Sequence, residues 1–217
     1  MTRPVTPRHA ASLLIHRQGR FGTEVFMGRR HKKARFKPDV YVFPGGMVER
    51  SDHSVRAASG LDPAATAKLA VAGSPRRAQA LAIAAVRETF EETGLLLGAC
   101  GTIGPSTDPT WSVFRERGLA PDLSRIGYLG RAITPSIQPL RFHARFFFVS
   151  AEHVQGEIAP SEELEDLRWV PLLRRSSLRM MQITELMLDT LGRRLSGEIS
   201  KSPFVSFHHG RQLTVWQ

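Results

Sequence analysis

Cysteine is almost absent: Cys100 stands alone among 217 residues. A single thiol excludes an internal disulfide and any cysteine-based zinc site, and its expected role is that of a small buried hydrophobe. Long apolar runs are missing too. Nothing approaches the roughly 20 residues of a membrane span. The basic, proline-bearing start MTRPVTPRHA lacks a signal-peptide apolar segment, so a short disordered lead over residues 1–10 and a cytoplasmic location are expected. Acidic side chains are outnumbered, 20 against 30 Lys and Arg, for a net charge of +10. Such a surface attracts nucleic acid, anionic lipid or a polyphosphorylated small molecule about equally. No helix-turn-helix pattern and no RNA-binding aromatic motif accompanies it, which makes nucleic acid the weaker candidate. A composition 41% hydrophobic and 23% charged suits one domain with a sizeable core.

What is present is an acidic helix end, RETFEETGL, Arg87 to Leu95. Ser74 and Pro75 read as N-cap and first helical residue and Gly94 as the left-handed stop, which predicts a helix from Pro75 to about Thr93. At roughly 100° per residue, Glu88, Glu91 and Glu92 share one arc, while Ala82, Ile83, Val86 and Phe90 share the opposite, core-facing one. Glu88 and Glu92 repel at i, i+4, and acidic charge near a helix C-terminus opposes the macrodipole. A cation over the cluster removes that cost. Oxygen-only ligands suit a hard ion, Mg²⁺ or Mn²⁺, which keeps several waters and binds substrate phosphates.

The same residues resemble the signature of the Nudix hydrolases: Gly, five residues, Glu, seven residues, then Arg-Glu-apolar-x-Glu-Glu-x-Gly-apolar. Its second half is matched by Arg87, Glu88, Thr89 in the apolar slot, Phe90, Glu91, Glu92, Thr93, Gly94 and Leu95. For the first half two registers are open. Counting from Gly46 in VFPGG places Asp52 in the first acidic slot and implies an insertion of 27 residues before Arg87; counting back from Arg87 without a gap places Gln79 and Gly73 instead. The Gly46 register is preferred, because an apolar strand entering Pro-Gly-Gly is how the family enters its catalytic loop. FMGRRHKKARFKPDVYVFPGG is similar to the additional signature of coenzyme A diphosphatases within the family, with Arg30 and Arg35 in its two Arg slots. A pair of guanidiniums would clamp diphosphate oxygens bidentately. The insertion and the later segment AITPSIQPLRFHARFFFVSAE resemble the peroxisomal branch of those enzymes and its bacterial relatives.

Along the chain, strands are expected at Ala11–Arg17 and Glu24–Arg30, with Val25 and Met27 alternating against Glu24 and Phe26, and at Tyr41–Val48, ending in the Gly45-Gly46 turn. Residues 53–77 read as the insertion, with a short helix from Asp62-Pro63 to Ala72. A helix over Thr110–Gly118 capped by Asp108, strands over Ser124–Ile133 and Phe142–Ser150, and an amphipathic helix over Met180–Leu195 complete the set; His208-His209 is read as surface.

The resemblance implies an α/β/α sandwich around a mixed β-sheet over one domain, residues 11–217. It implies Glu88, Glu91 and Glu92 as metal ligands, Arg87 as the group that orients Glu91, and Gly45, Gly46, Arg30 and Arg35 on the substrate. The general base is left open between a helix glutamate and Glu162, Glu163 or Glu165. Implied is hydrolysis of a nucleoside diphosphate linked to another moiety, with coenzyme A or acyl-CoA favoured and released as 4′-phosphopantetheine and adenosine 3′,5′-bisphosphate. NADH, ADP-ribose, RNA 5′ ends and a non-catalytic ligand-sensing role are the alternatives, and a homodimer is left open.

Overall fold

A computed structural model describes residues 5–34, 37–69, 71–208 and 211–217. The apolar residues at Phe146 to Val149 run so continuously that β8 (Phe142–Ser150) must be buried on both faces, and it lies inside the sheet beside β1 (Arg8–Gly19) and β7 (Gly127–Ile133). From β7 the sheet continues to β10 (Pro203–His208) and β11 (Arg211–Trp216). From β1 it continues to β2 (Gly22–Arg30) and β3 (Tyr41–Val42), while β4 (Gly45–Met47) pairs with β1 and β9 (Leu164–Pro171) with β2. β1 runs parallel to β8 and β10 parallel to β7; the remaining pairs are antiparallel, so the sheet is mixed.

Helices cover both faces. On one face α2 (Pro75–Thr93), α1 (Pro63–Lys68) and α3 (Pro109–Glu116) enclose a core containing Leu13, Phe26, Leu81, Val86, Trp111 and Phe147. On the other, α4 (Gln182–Leu195) packs Met187, Leu188 and Leu191 against Leu14, Val25 and Leu129. A two-stranded sheet of β5 (Gly98–Cys100) and β6 (Leu119–Pro121) lies beside the main one. Among the described residues no helix is long and apolar enough to cross a membrane.

The caps read from sequence are present: the Ser74 side chain accepts from Arg77 N–H, Asp62 caps α1 and Asp108 caps α3, and Gly94 ends α2 at φ 75°. Several expectations need correction. β1 begins at Arg8, inside the expected disordered lead, because Arg8 to Ala10 pair with Phe142 to Ala144 of β8; residues 1–4 lie outside the described residues. Val25, Phe26 and Met27 are all fully buried rather than alternating, since β2 has a helical layer on either side. α1 ends at Lys68, four residues short of Ala72. Cys100 is exposed, not buried, because it ends an edge strand of the small sheet. β10 and β11 had no sequence-based expectation.

Candidate active site

Arg87 is the hub of the site. Its side chain is 2% exposed and spends its donors on four groups: Nε to Asp52 Oδ1 at 2.9 Å, Nη2 to Asp52 Oδ2 at 3.1 Å and the Met47 carbonyl at 2.9 Å, and Nη1 to Glu91 Oε2 at 2.9 Å and Glu88 Oε1 at 3.0 Å. Burial works against its charge, but the Asp52 hydrogen bonds and the Glu88, Asp52 and Glu91 charges outweigh that and hold the guanidinium firmly protonated. Arg87 thus joins α2 to β4 and to the turn that follows it.

This settles which residue stands against Arg87. Asp52, in a 3₁₀ turn at Ser51–His53, is 1% exposed and also accepts from the Glu49 N–H at 2.7 Å. Gln79 lies eight residues up α2, about 12 Å along the axis, and is half-exposed. Asp52, the residue that the Gly46 register expects, is thus the partner of Arg87, and Gln79 is not.

The three helix glutamates are not equivalent. Glu91 is exposed at the cleft rim, where Arg87 holds one oxygen and Thr110 Oγ1, at the start of α3, donates to the other at 2.5 Å. Glu92, expected on an outward-facing arc, is 4% exposed: it lies under the catalytic loop and accepts from the Gly45 N–H at 2.8 Å. Glu88 lies between them against Gly46, where a Cβ would overlap its carboxylate. Burial, only partly offset by Arg87, pushes Glu88 up to about 7, with Glu91 and Glu163 adding to the rise. Burial also holds Glu92 well above the usual carboxylate range against the Gly45 N–H, and Glu88 and Glu163 push the same way. Thr89, a polar residue in an apolar slot, is accommodated because its hydroxyl donates to the Ala85 carbonyl at 2.7 Å.

Arg87, Glu88 and Glu91 edge a cleft of about 1070 Å³, whereas Glu92 lies behind its lining. Gly45, Gly46 and Arg30 line it, and the Arg30 Nε is buried with no hydrogen-bond partner among the described residues. Arg35 lies outside the described residues. Of the loop carboxylates, Glu162 and Glu163 line the cleft, whereas Glu165 is drawn off to Arg29 Nη2 at 2.8 Å. Thr110 was not singled out from sequence as a site residue; nineteen positions separate it from Glu91 and no spacing marks it.

For a hard divalent cation, the donor set fits in its chemistry: it is all oxygen, partly desolvated, and carries repulsion that a cation would relieve. Among the described residues, however, no three carboxylate, histidine or cysteine side chains stand gathered as a ready metal cage, because Glu91 and Glu92 are turned toward their own donors.

A buried arginine joining an acidic helix end to a Pro-Gly-Gly turn, on a mixed sheet covered on both faces, defines a class, and comparison with known proteins gives the same one. The chain matches no family model. It is 27% identical over 175 residues to nudix hydrolase 7 of Caenorhabditis elegans, covering 75% of this chain and 51% of that protein. It is 35% identical over 95 residues to the Xenopus laevis acyl-coenzyme A diphosphatase NUDT19, covering 34% of this chain and 25% of that protein. The chain thus spans about half or less of these relatives. A NUDIX hydrolase structure from Alicyclobacillus acidocaldarius superposes with a TM-score of 0.64 at 29% identity, covering 85% of this chain and 90% of that one. In sequence and in fold the chain is thus similar to Nudix hydrolases.

Proposed function

We propose that the protein hydrolyses the diphosphate linkage of a nucleoside diphosphate joined to another moiety, with coenzyme A and its acyl thioesters as the favoured substrates. The observation that carries this is the Arg87 hub, which sets Glu88 and Glu91 at the mouth of a cleft that also presents the buried, unpartnered Arg30 Nε. The acyl-CoA substrate is named for the Xenopus relative, which aligns with about a third of this chain.

In the mechanism this supports, Glu88, Glu91 and Glu92 would hold Mg²⁺ or Mn²⁺, which when bound lowers the pKa of water and neutralises charge at the scissile phosphate. Arg87 and Thr110 fix Glu91 from two sides, so that the carboxylate is presented without a search over rotamers. The Gly45 N–H orients Glu92, and the missing Cβ at Gly46 lets the loop lie on Glu88. Arg30 binds phosphate oxygens as a planar fork. Glu163, close enough to raise both Glu88 and Glu92, is the loop carboxylate best placed to accept a proton from the attacking water.

A second reading, a ligand-sensing module without turnover, is favoured by one observation: both oxygens of Glu91 and one of Glu92 accept from protein donors, and among the described residues no three carboxylates are gathered. Product analysis after incubation with Mg²⁺ or Mn²⁺ and a panel of coenzyme A, acetyl-CoA, NADH, ADP-ribose and capped RNA separates the two. Cleavage of coenzyme A at the diphosphate is the expected result. Turnover of another panel member alone would replace the substrate, and turnover of none would favour the sensor.

A further inference from the structure

Beyond the carboxylates, the cleft crosses the sheet. Met47 of β4 pairs with Ala10 of β1, Ala10 with Ala144 of β8, Ala144 with Ala132 of β7, and Ala132 with Val205 of β10. Directly opposed residues point to the same face of a sheet. The five side chains therefore form one row running from the catalytic loop to the C-terminal hairpin, and all five line the cleft. From β1 to β10 are three inter-strand steps of about 4.8 Å, about 14 Å in total. α4 covers this face over Leu14, Leu129 and Phe146 but starts only at Gln182, leaving the alanine end of the row open as floor. Apolar side chains of Leu140, Met180, Ile183 and Phe207, all half-buried, also line the cleft. Phe207 stands two residues from Val205 and so on the same face of β10. Ionic groups line the catalytic end of the cleft, whereas at the hairpin end the strands contribute Val205, Phe207 and Gln212.

A nucleotide diphosphate on its own would leave this half of the cleft as wetted apolar surface. We infer that the trough from Ala144 to the β10–β11 hairpin is an apolar-tail subsite, and that Ala132, Val205 and Phe207 determine specificity for substrates whose non-nucleotide moiety ends in an apolar chain. The inference rests on the diphosphatase reading and narrows it: acyl thioesters are preferred over unacylated coenzyme A. Alanines along the row leave room for the chain, and Phe207 adds apolar surface at the β10 end.

The test is kcat/KM for coenzyme A and its butanoyl, octanoyl and dodecanoyl thioesters, each below its micellar concentration, on the full chain. Each methylene that enters the trough is worth about a threefold to fourfold gain, so octanoyl-CoA is expected to exceed coenzyme A by at least 30-fold, the gain appearing in KM. Phe207→Ser, at a half-buried position that the fold tolerates, and Ala132→Leu, which fills the floor, should each cut the octanoyl-to-unacylated ratio at least fivefold. Calorimetric binding of dodecanoyl-CoA and coenzyme A to Glu91→Gln gives a second readout that needs no turnover. Hydrolysis of coenzyme A with no dependence on chain length would overturn the subsite and leave the diphosphatase reading standing, with the trough then holding the nucleoside. A chain-length gain unchanged in both variants would overturn the assignment to these residues. Should nothing be hydrolysed, the diphosphatase reading falls, and dodecanoyl-CoA binding no tighter than coenzyme A would overturn the subsite as well.

Discussion

Arg87 and Asp52 are 35 positions apart in sequence and face each other as a buried two-point pair, Nε to Oδ1 at 2.9 Å and Nη2 to Oδ2 at 3.1 Å. Removing Arg87 leaves the buried Asp52 carboxylate with only the Glu49 N–H, and removing Asp52 leaves the Arg87 Nε buried without its acceptor. Arg87→Ala or Asp52→Ala should therefore lower unfolding free energy by about 3–5 kcal/mol in chemical denaturation. Gln79→Ala, at the position that a gapless register would pair with Arg87, should stay within about 0.5 kcal/mol. Equal losses at Asp52 and Gln79 would contradict the assignment.

Much of this was legible in the chain. Ser74-Pro75 and Gly94 bound α2 because capping is local chemistry, and the Phe run of β8 could only be an interior strand. What was not legible depends on contacts between segments far apart. Glu92 sits on the same arc as its neighbours, and only the catalytic loop folding over it, with the Gly45 N–H, makes it buried. Thr110 reaches Glu91 because α3 returns across the C-terminal end of α2, which no periodicity encodes. The β10–β11 hairpin did carry a signal, Val205/Phe207 and Leu213/Val215 alternating on either side of Gly210, but each strand is short and the outer one is largely exposed.

Thr110 is expected to act through Glu91. Thr110→Val keeps shape and loses the hydroxyl, and should lower kcat about fivefold to tenfold, the equivalent of one hydrogen bond of about 1 kcal/mol, with KM little changed. Thr110→Ser should restore most of it. A serine variant as impaired as valine would mean that packing, not the hydrogen bond, is what matters.

The catalytic loop needs two glycines for different reasons. At Gly45 (φ +153°) a Cβ would overlap the Ala11 carbonyl, a backbone atom that cannot yield, so Gly45→Ala should destabilise the fold. At Gly46 the nearest atoms it would meet are those of the Glu88 carboxylate, which can swing away. Gly46→Ala should then keep its thermal transition while losing about 100-fold in kcat. Gly60→Ala, with nothing within 4 Å, is the control and should do neither.

On the far face of the sheet, His143 is held down to about 3 by burial first and then by Arg145, Arg131 and His9. In the native state it is neutral across a range where the unfolded chain, at 6.5, binds a proton. The unfolded state thus carries the extra proton between about 6.5 and 3, and stability rises with pH there. Its contribution is intact above 6.5 and lost progressively as pH falls through that window. Midpoints measured from pH 7 to 4 should fall more steeply for the wild type than for His143→Gln; parallel slopes would count against it.

The most direct test of the central claim is the initial rate of coenzyme A hydrolysis against Mn²⁺ concentration for the wild type and Glu91→Gln, with near-ultraviolet circular dichroism on both. The account predicts metal-dependent cleavage in the wild type and a loss of at least 100-fold in the variant, with superimposable spectra. A variant that hydrolyses as fast as the wild type would contradict it, because the acidic end of α2 would then not be the site of reaction.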